Sequence, residues 1–224
     1  MNLFIFGSVA KIGPTGIPGF LFFLSGPILW QYFQDGFLKI SSVFIENQQI
    51  FGKVYFPRLI VPITILISGL LKFSVQFILL IGVIVYYYLD QGYLVLNANL
   101  LYLPLLLINI MLITLGFGLI VSSLTAKYRD FKFFFDFFIP LLKYITPGIA
   151  TTYLIFIETL PEYLHPIAKL NPLGYIIDMF NHIMVGAGSL NWNGFLYSLG
   201  VGVVAVIIGA TLFNQTEKNF MDTV

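Results

Sequence analysis

Cysteine is absent from this 224-residue chain. A disulfide framework, a thiolate nucleophile and a cysteine-based metal site are therefore excluded, and redox chemistry has little to work with. Histidine is nearly absent too. His165 and His182 are followed by Pro166 and Ile183, so no H-E-x-x-H occurs, and two imidazoles alone make a poor zinc site. There is no G-x-S-x-G for an acyl-transfer serine. Nor is there a P-loop: Gly52-Lys53 runs into Val54 and lacks the upstream glycine whose turn lets backbone N–H groups cradle a phosphate. The chain is not expected to hydrolyse ATP by itself.

Charge is the scarcest commodity. Only 9% of residues are charged, against about 25% in an ordinary soluble domain. Eleven Lys and Arg against ten Asp and Glu leave a formal +1, with neither a basic field to hold nucleic acid nor an acidic solvating run. What the chain has instead is apolar surface, 58% hydrophobic residues and a mean hydropathy of +0.93. That composition excludes a water-soluble globule and leaves an all-α polytopic membrane protein.

A spanning helix needs about 20 mostly apolar residues, and five windows approach this: 19–44, 59–89, 100–125, 131–149 and 195–213. The first carries Asp35 and Lys39 in its second half, which reads as interfacial or protein-facing. The second is interrupted only by Lys72 and Gln76, and the third carries no charge. The fourth contains Asp136, Pro140 and Lys143, and the fifth is uncharged and rich in small residues. Between the last two, 151–193 holds Glu158, Glu162, Lys169 and Asp178 with three prolines. Two short amphipathic helices are expected there, over 162–170 and 173–184, lying in the interface or dipping back into the protein.

Lys53, Arg58, Lys127, Arg129, Lys132 and Lys218 fall on one side if five spans alternate, with only Lys11 and Lys169 on the other. The positive-inside rule makes the first side cytoplasmic, and with it the C-terminus. Lys11 is then outside with only MNLFIFGSVA before it, too short to span and without the basic start of a signal peptide. A preceding in-to-out helix is expected, with Met1–Ala10 as its outer end; the chain reads as N-terminally truncated, a piece of a six-span protein or one begun at an internal Met.

Charges inside spans cost about 2.5–3.5 kcal/mol each on insertion scales. Asp35 and Lys39, and likewise Lys132 and Asp136, stand at i, i+4 and can pair on one helix face; Lys132 can also snorkel. Lys72 and Lys143 have no acidic partner nearby in sequence and are expected to face the protein interior or a wet cavity. Too few carboxylates sit at mid-membrane depth for a proton relay. Tyr86, Tyr87, Tyr88 and Tyr93 read as a headgroup-level aromatic belt. Phe131, Phe133, Phe134, Phe135, Phe137 and Phe138 almost encircle one helix start. They serve either packing and lipid contact or a pore whose ring faces stack on sugars.

The run Phe51-Gly-Lys-Val-Tyr-Phe-Pro-Arg58 and, at the next basic loop, Thr125-Ala-Lys-Tyr-Arg-Asp130 resemble the permease subunit of ABC-2 type exporters. The branch they look like serves polysaccharide export: O-antigen, capsule and teichoic acid. Leu170-Asn171-Pro172 and the tail Phe213-Asn-Gln-Thr-Glu-Lys-Asn-Phe220 fit the same pattern. The resemblance implies one transmembrane permease domain over 1–224, of the six-helix ABC-2 type with its first helix mostly missing. Two short external gate helices precede the last span. It also implies a homodimeric channel in the bacterial plasma (inner) membrane, moving a lipid-linked polysaccharide, with two separate ATPase subunits that carry ATP and Mg and no cofactor in this chain.

Lys53, Tyr55, Phe56, Pro57, Arg58, Tyr128, Arg129 and Asp130 would then lie near the ATPase contact. Phe131, Phe134, Phe135, Phe138 and Tyr144 are the candidates for lining the channel. Competing readings are an exporter of the same fold for a small lipophilic compound or drug and, more remotely, an integral-membrane glycan polymerase or ligase. The latter should show an external Arg or acid/base cluster, and 151–193 has no Arg.

Overall fold

The apolar windows fold as helices, and the prolines and glycines between them set where each begins and ends. A computed structural model describes residues 18–48, 57–92, 98–149 and 151–221. In chain order the helices are α1 (Gly19–Ser41), α2 (Val43–Glu46), α3 (Ile60–Gln91), α4 (Leu103–Lys127) and α5 (Asp130–Ile145). They continue with α6 (Tyr153–Thr159), α7 (His165–Leu170), α8 (Pro172–Val185) and α9 (Trp192–Met221), and 3₁₀ turns cover Ala98–Tyr102 and Glu162–Leu164. No strand occurs among the described residues, and the chain is an all-α polytopic membrane protein. Lys11, Lys53, Tyr55, Phe56 and Tyr93, like the Met1–Ala10 stretch, lie outside the described residues.

Among the described residues, three helices are long and apolar enough to cross a membrane: Ile60–Asp90, Asn99–Lys127 and Trp192–Glu217. α1, with 23 residues, has the length but carries Gln31, Gln34, Asp35 and Lys39. α5 has 16 residues, roughly 24 Å at 1.5 Å each, against a hydrocarbon core of about 30 Å. Its helix ends at Ile145, and Thr146–Ile149 turn back into the protein, buried.

The closest packing is between α4 and α9, and small residues permit it. A Cβ on Gly116 of α4 would stand 2.6 Å from the Ala205 backbone, and one on Gly209 of α9 would stand 2.6 Å from the Gly116 carbonyl. Asn109 reinforces the pair, donating to the Phe195 carbonyl at 3.4 Å and accepting from Ser198 at 3.3 Å. α1 packs on α4, α3 and α8 and buries Leu21, Phe22, Leu29 and Trp30 completely or nearly so. α3 touches this core along one narrow stripe, Leu66, Phe73, Leu80 and Ile84, and turns the rest of its surface outward.

The segment expected as two amphipathic helices contains three. α7 with its preceding 3₁₀ turn matches 162–170, and α8 matches 173–184, but α6 is additional. α8 dips into the protein: Ile176, Ile177, Phe180, Asn181 and Val185 have no exposed surface. Leu170-Asn171-Pro172 has a mechanical reason. Asn171 is the N-cap of α8, its side-chain oxygen accepting from the Leu173 N–H at 3.1 Å, and Pro172 sits at the first helical position, where no N–H is needed. Gly186 ends the helix at φ +74°, its N–H donating to the His182 carbonyl.

Candidate functional site

Three places carry chemistry: the basic end of the bundle, the outward face of α5 and the cap made by α6–α8. At the basic end, Pro57 is exposed while Arg58 is 3% exposed. The Arg58 guanidinium donates to the Glu217 carbonyl oxygen at 3.3 Å and lies 3.7 Å from its carboxylate. Arg58 thus ties the start of α3 to the end of α9. The second basic loop is on the surface: Tyr128, Arg129 and Asp130 are all exposed, with the Lys127 ammonium 5.3 Å from the Tyr128 ring centre. Arg129 donates to Gln48 at 3.4 Å, which brings the second loop up to the end of the segment after α2.

The two local charge pairs expected from i, i+4 spacing are replaced by pairs between elements. Asp35 pairs with Lys72 of α3 in place of Lys39, its other carboxylate oxygen taken by Gln31. Lys132 pairs with Glu46 at 3.0 Å in place of Asp136. A helix face offers one partner at i, i+4, but a neighbouring helix presents another without the side-chain bending that local pairing demands. Burial pushes the Glu46 carboxyl up, yet the Ser42 hydroxyl and the Lys132 and Lys39 charges outweigh it and hold the group below the ordinary carboxylate value.

On α5 the expected channel-lining rings divide. Phe131, Phe134 and Phe138 are exposed, and Phe134 and Phe138 stack with centroids 5.2 Å apart and planes 16° apart. Phe135 is partly buried between them and the core, 5.2 Å from Phe134 and 5.8 Å from Phe37 of α1. It props the others from behind. Tyr144 is 71% exposed and makes no ring contact with this group. Phe133 and Phe137, also exposed, widen the same apolar face, so α5 presents an aromatic surface over its whole outer side.

The cap is organised by Asp178, which is almost fully buried. One carboxylate oxygen accepts from the Tyr153 N–H at 2.9 Å, and the other accepts from the Ser189 N–H at 2.9 Å and the Ser189 hydroxyl at 3.0 Å. Burial raises the carboxyl above its ordinary value, partly offset by these hydrogen bonds and by His182. His182 places Nδ1 3.0 Å from the Gly188 carbonyl, and His165 places Nε2 3.0 Å from that of Leu160. Tyr153 donates to Tyr175, which donates to the Lys169 carbonyl; burial, then the Tyr175 hydroxyl, push the Tyr153 phenol well above its ordinary range. Asn181 clamps the cap onto the bundle, accepting from Ser25 of α1 at 2.7 Å and donating to the Gly148 carbonyl.

Asp178 and Asn181 were not anticipated from sequence. A lone carboxylate and a lone amide in an apolar helix are the available signal, since a buried polar group implies a built set of partners. No protein-family profile matches the chain. It is similar over nearly its whole length to two O-antigen export system permease proteins RfbA of Klebsiella pneumoniae. Each is 28% identical over 220 residues, covering 98% of this chain and 80% of the relative. This similarity bears out the resemblance carried by the two basic loops and the Leu170-Asn171-Pro172 turn.

Proposed function

We infer that this chain is the transmembrane permease subunit of an ABC-2 type exporter that moves a polysaccharide, as a lipid-linked chain, across the bacterial inner membrane. The observation that carries the reading is the match to O-antigen export permeases across 98% of the chain, on an all-helical multi-pass fold. Two copies form the conduit, and two separate ATPase subunits supply the energy from the cytoplasmic side, where the basic loops and the C-terminus lie. Exposed Tyr128, Arg129 and Asp130 form the docking surface for those subunits, and Arg58 braces the same end of the bundle by tying α3 to α9. Glycan stacks on Phe131, Phe134 and Phe138, because ring faces bind sugar C–H faces without fixing one register, which suits a sliding polymer.

Deleting the gene should abolish surface glycan and leave its lipid-linked precursor in the cell, and the chain supplied in trans should restore export. Restoration of glycan export by an unrelated drug exporter alone would refute the assignment. The docking surface is tested by Arg129→Glu with Tyr128→Ala, both exposed positions. Co-purification of the ATPase should fall while membrane levels of the permease hold. Unchanged co-purification would remove this loop from the contact.

A further inference from the structure

Two polar tracks face each other across α1 and α3. On α1 they are Gln31, Asp35 and Lys39, and on α3 Ser68, Lys72 and Gln76, each at i, i+4, i+8, the spacing that stacks three side chains on one helix face. The helices run antiparallel, since Tyr32 reaches Gly69 and Phe73 while Gly36 reaches Leu66. Asp35 therefore meets Lys72 at the middle of both tracks. All six side chains line one open cleft of about 140 Å³. Along α3, Lys72 lies twelve residues from Ile60, roughly 18 Å at 1.5 Å per residue. Its side chain is nevertheless 59% exposed, at a depth where an unanswered charge is costly.

The charge inventory of the cleft is lopsided. Both Asp35 oxygens are already engaged, one by Gln31 and one by Lys72. The Ser68 hydroxyl proton is spent on the Thr64 carbonyl. Among the described residues the Lys72 ammonium has Asp35 as its one acceptor, and the side chains of Lys39 and Gln76 make no hydrogen bond. The amide oxygens of Gln31 and Gln76 also accept no hydrogen bond among the described residues, so the surplus is one of charge: two ammonium groups line the cleft against one carboxylate, with Glu46 acting on Lys39 from outside it. That net positive charge disfavours a cation, while Ile65, Leu66 and Phe73 add an apolar wall beside the polar tracks. The cleft suits an oxyanion, to which charge-assisted N–H bonds are the strong ones.

We propose that the α1–α3 cleft binds the phosphate group of a lipid, Lys39 meeting it near the end of α1 and Lys72 with Gln76 holding it deeper. Two sources share that chemistry, an ordinary anionic phospholipid and the phosphate linkage of a polyprenyl-borne glycan; assignment to the second rests on the export reading above.

The test is lipid retention by the purified full chain, read by native mass spectrometry with phosphatidylglycerol, a polyprenyl diphosphate and phosphate-free diacylglycerol as probes. Both phosphate lipids should be retained over diacylglycerol. Lys39→Gln with Lys72→Gln should lower their retention about tenfold, equivalent to about 1.4 kcal/mol, and Lys72→Arg should restore it. Lys39→Gln alone, at an exposed position without a hydrogen-bond partner, should give part of the loss without disturbing the fold. Asp35→Asn should tighten binding, because it removes the one anion from the cleft. An ion pair that merely holds two helices together predicts the opposite, so Asp35→Asn weakening retention as Lys72→Gln does would overturn the proposal. So would equal retention of all three lipids. Preference for the polyprenyl diphosphate assigns the cleft to the exported lipid, and equal retention of the two phosphate lipids assigns it to membrane phospholipid; both support a phosphate site. A chain that binds neither phosphate lipid but still restores surface glycan sinks the cleft and leaves the export reading standing.

Discussion

α1 and α3 are neighbours with opposite fates. α1 carries Gln31, Gln34, Asp35 and Lys39, yet thirteen of its 23 residues are buried. α3 is long and strongly apolar, yet it exposes Ile67, Leu71, Val75, Ile78 and Leu79 along its length. In water this would be upside down. In a bilayer the tails are as apolar as Leu, so apolarity no longer marks the inside. A helix dense in amides, charges and glycines must find protein partners, whereas one that is apolar outside a single polar track can leave its other faces to lipid. Hydropathy here reports which helix can face the solvent, and the solvent is hydrocarbon.

The comparison can be broken most severely with matched glycines. Gly26 of α1 lies where a Cβ would come 2.6 Å from the Gly148 carbonyl, whereas a Cβ on Gly82 of α3 would meet nothing within 4 Å. Gly26→Val should cost about 3 kcal/mol or more by forcing backbone apart, seen as loss of monodisperse protein in detergent.

Next in size is the carboxylate that holds the cap together. Asp178→Ala leaves the Tyr153 and Ser189 N–H groups buried without their acceptor and should cost about 2–3 kcal/mol in thermal unfolding. Asp178→Asn sharpens this by removing the titration. Because burial raises the folded-state carboxyl above its ordinary value, the fold binds the proton more tightly than the unfolded chain does. That contribution is fully present below the ordinary carboxylate pKa and is lost as pH rises through the raised one. Wild type should therefore gain on Asp178→Asn as pH is lowered across that window, and parallel curves would remove Asp178 from the pH response.

A milder contrast pairs Phe22→Ala on α1 with Leu71→Ala on α3. Phe22 has no exposed surface and Leu71 is 74% exposed. The first should cost about 2 kcal/mol, mostly lost packing, because hydrocarbon replaces water as the reference. The second should change nothing measurable. The smallest effect is expected of Gly82→Val, within about 0.5 kcal/mol of wild type; a large loss there would mean that this face of α3 is covered.

The sequence announced the lipid-facing half of the molecule more clearly than the protein-facing half, for the same physical reason. α3, α4 and α9 stand out because a run of spanning length with no more than one charge in its interior has few other meanings, and Asn171-Pro172 marks the start of α8 through capping chemistry that is local. The partners of Asp35 and Lys132 were not legible. Those pairs join residues 37 and 86 apart in sequence, and the i, i+4 rule supplied a nearer candidate in each case. α6 was missed because seven residues, Tyr153–Thr159, are too few for periodicity to declare itself. The burial of Arg58 against Glu217 was not legible either, although its loop placed it near the ATPase contact by resemblance. Charge says which end of a bundle a residue occupies and nothing about the direction in which its side chain leaves the backbone.

That tie has a mechanical consequence. Arg58 fastens the foot of α3 to Glu217 near the foot of α9, and α9 runs as one unbroken helix from there back to Trp192, roughly 38 Å away. At its far end Tyr197 grips the Leu170 carbonyl and Trp192 leans on Tyr102 with ring centres 4.9 Å apart. The foot of α3 and the cap are thereby joined through a single continuous helix, held by a charge pair at one end and by a hydrogen bond and a ring contact at the other.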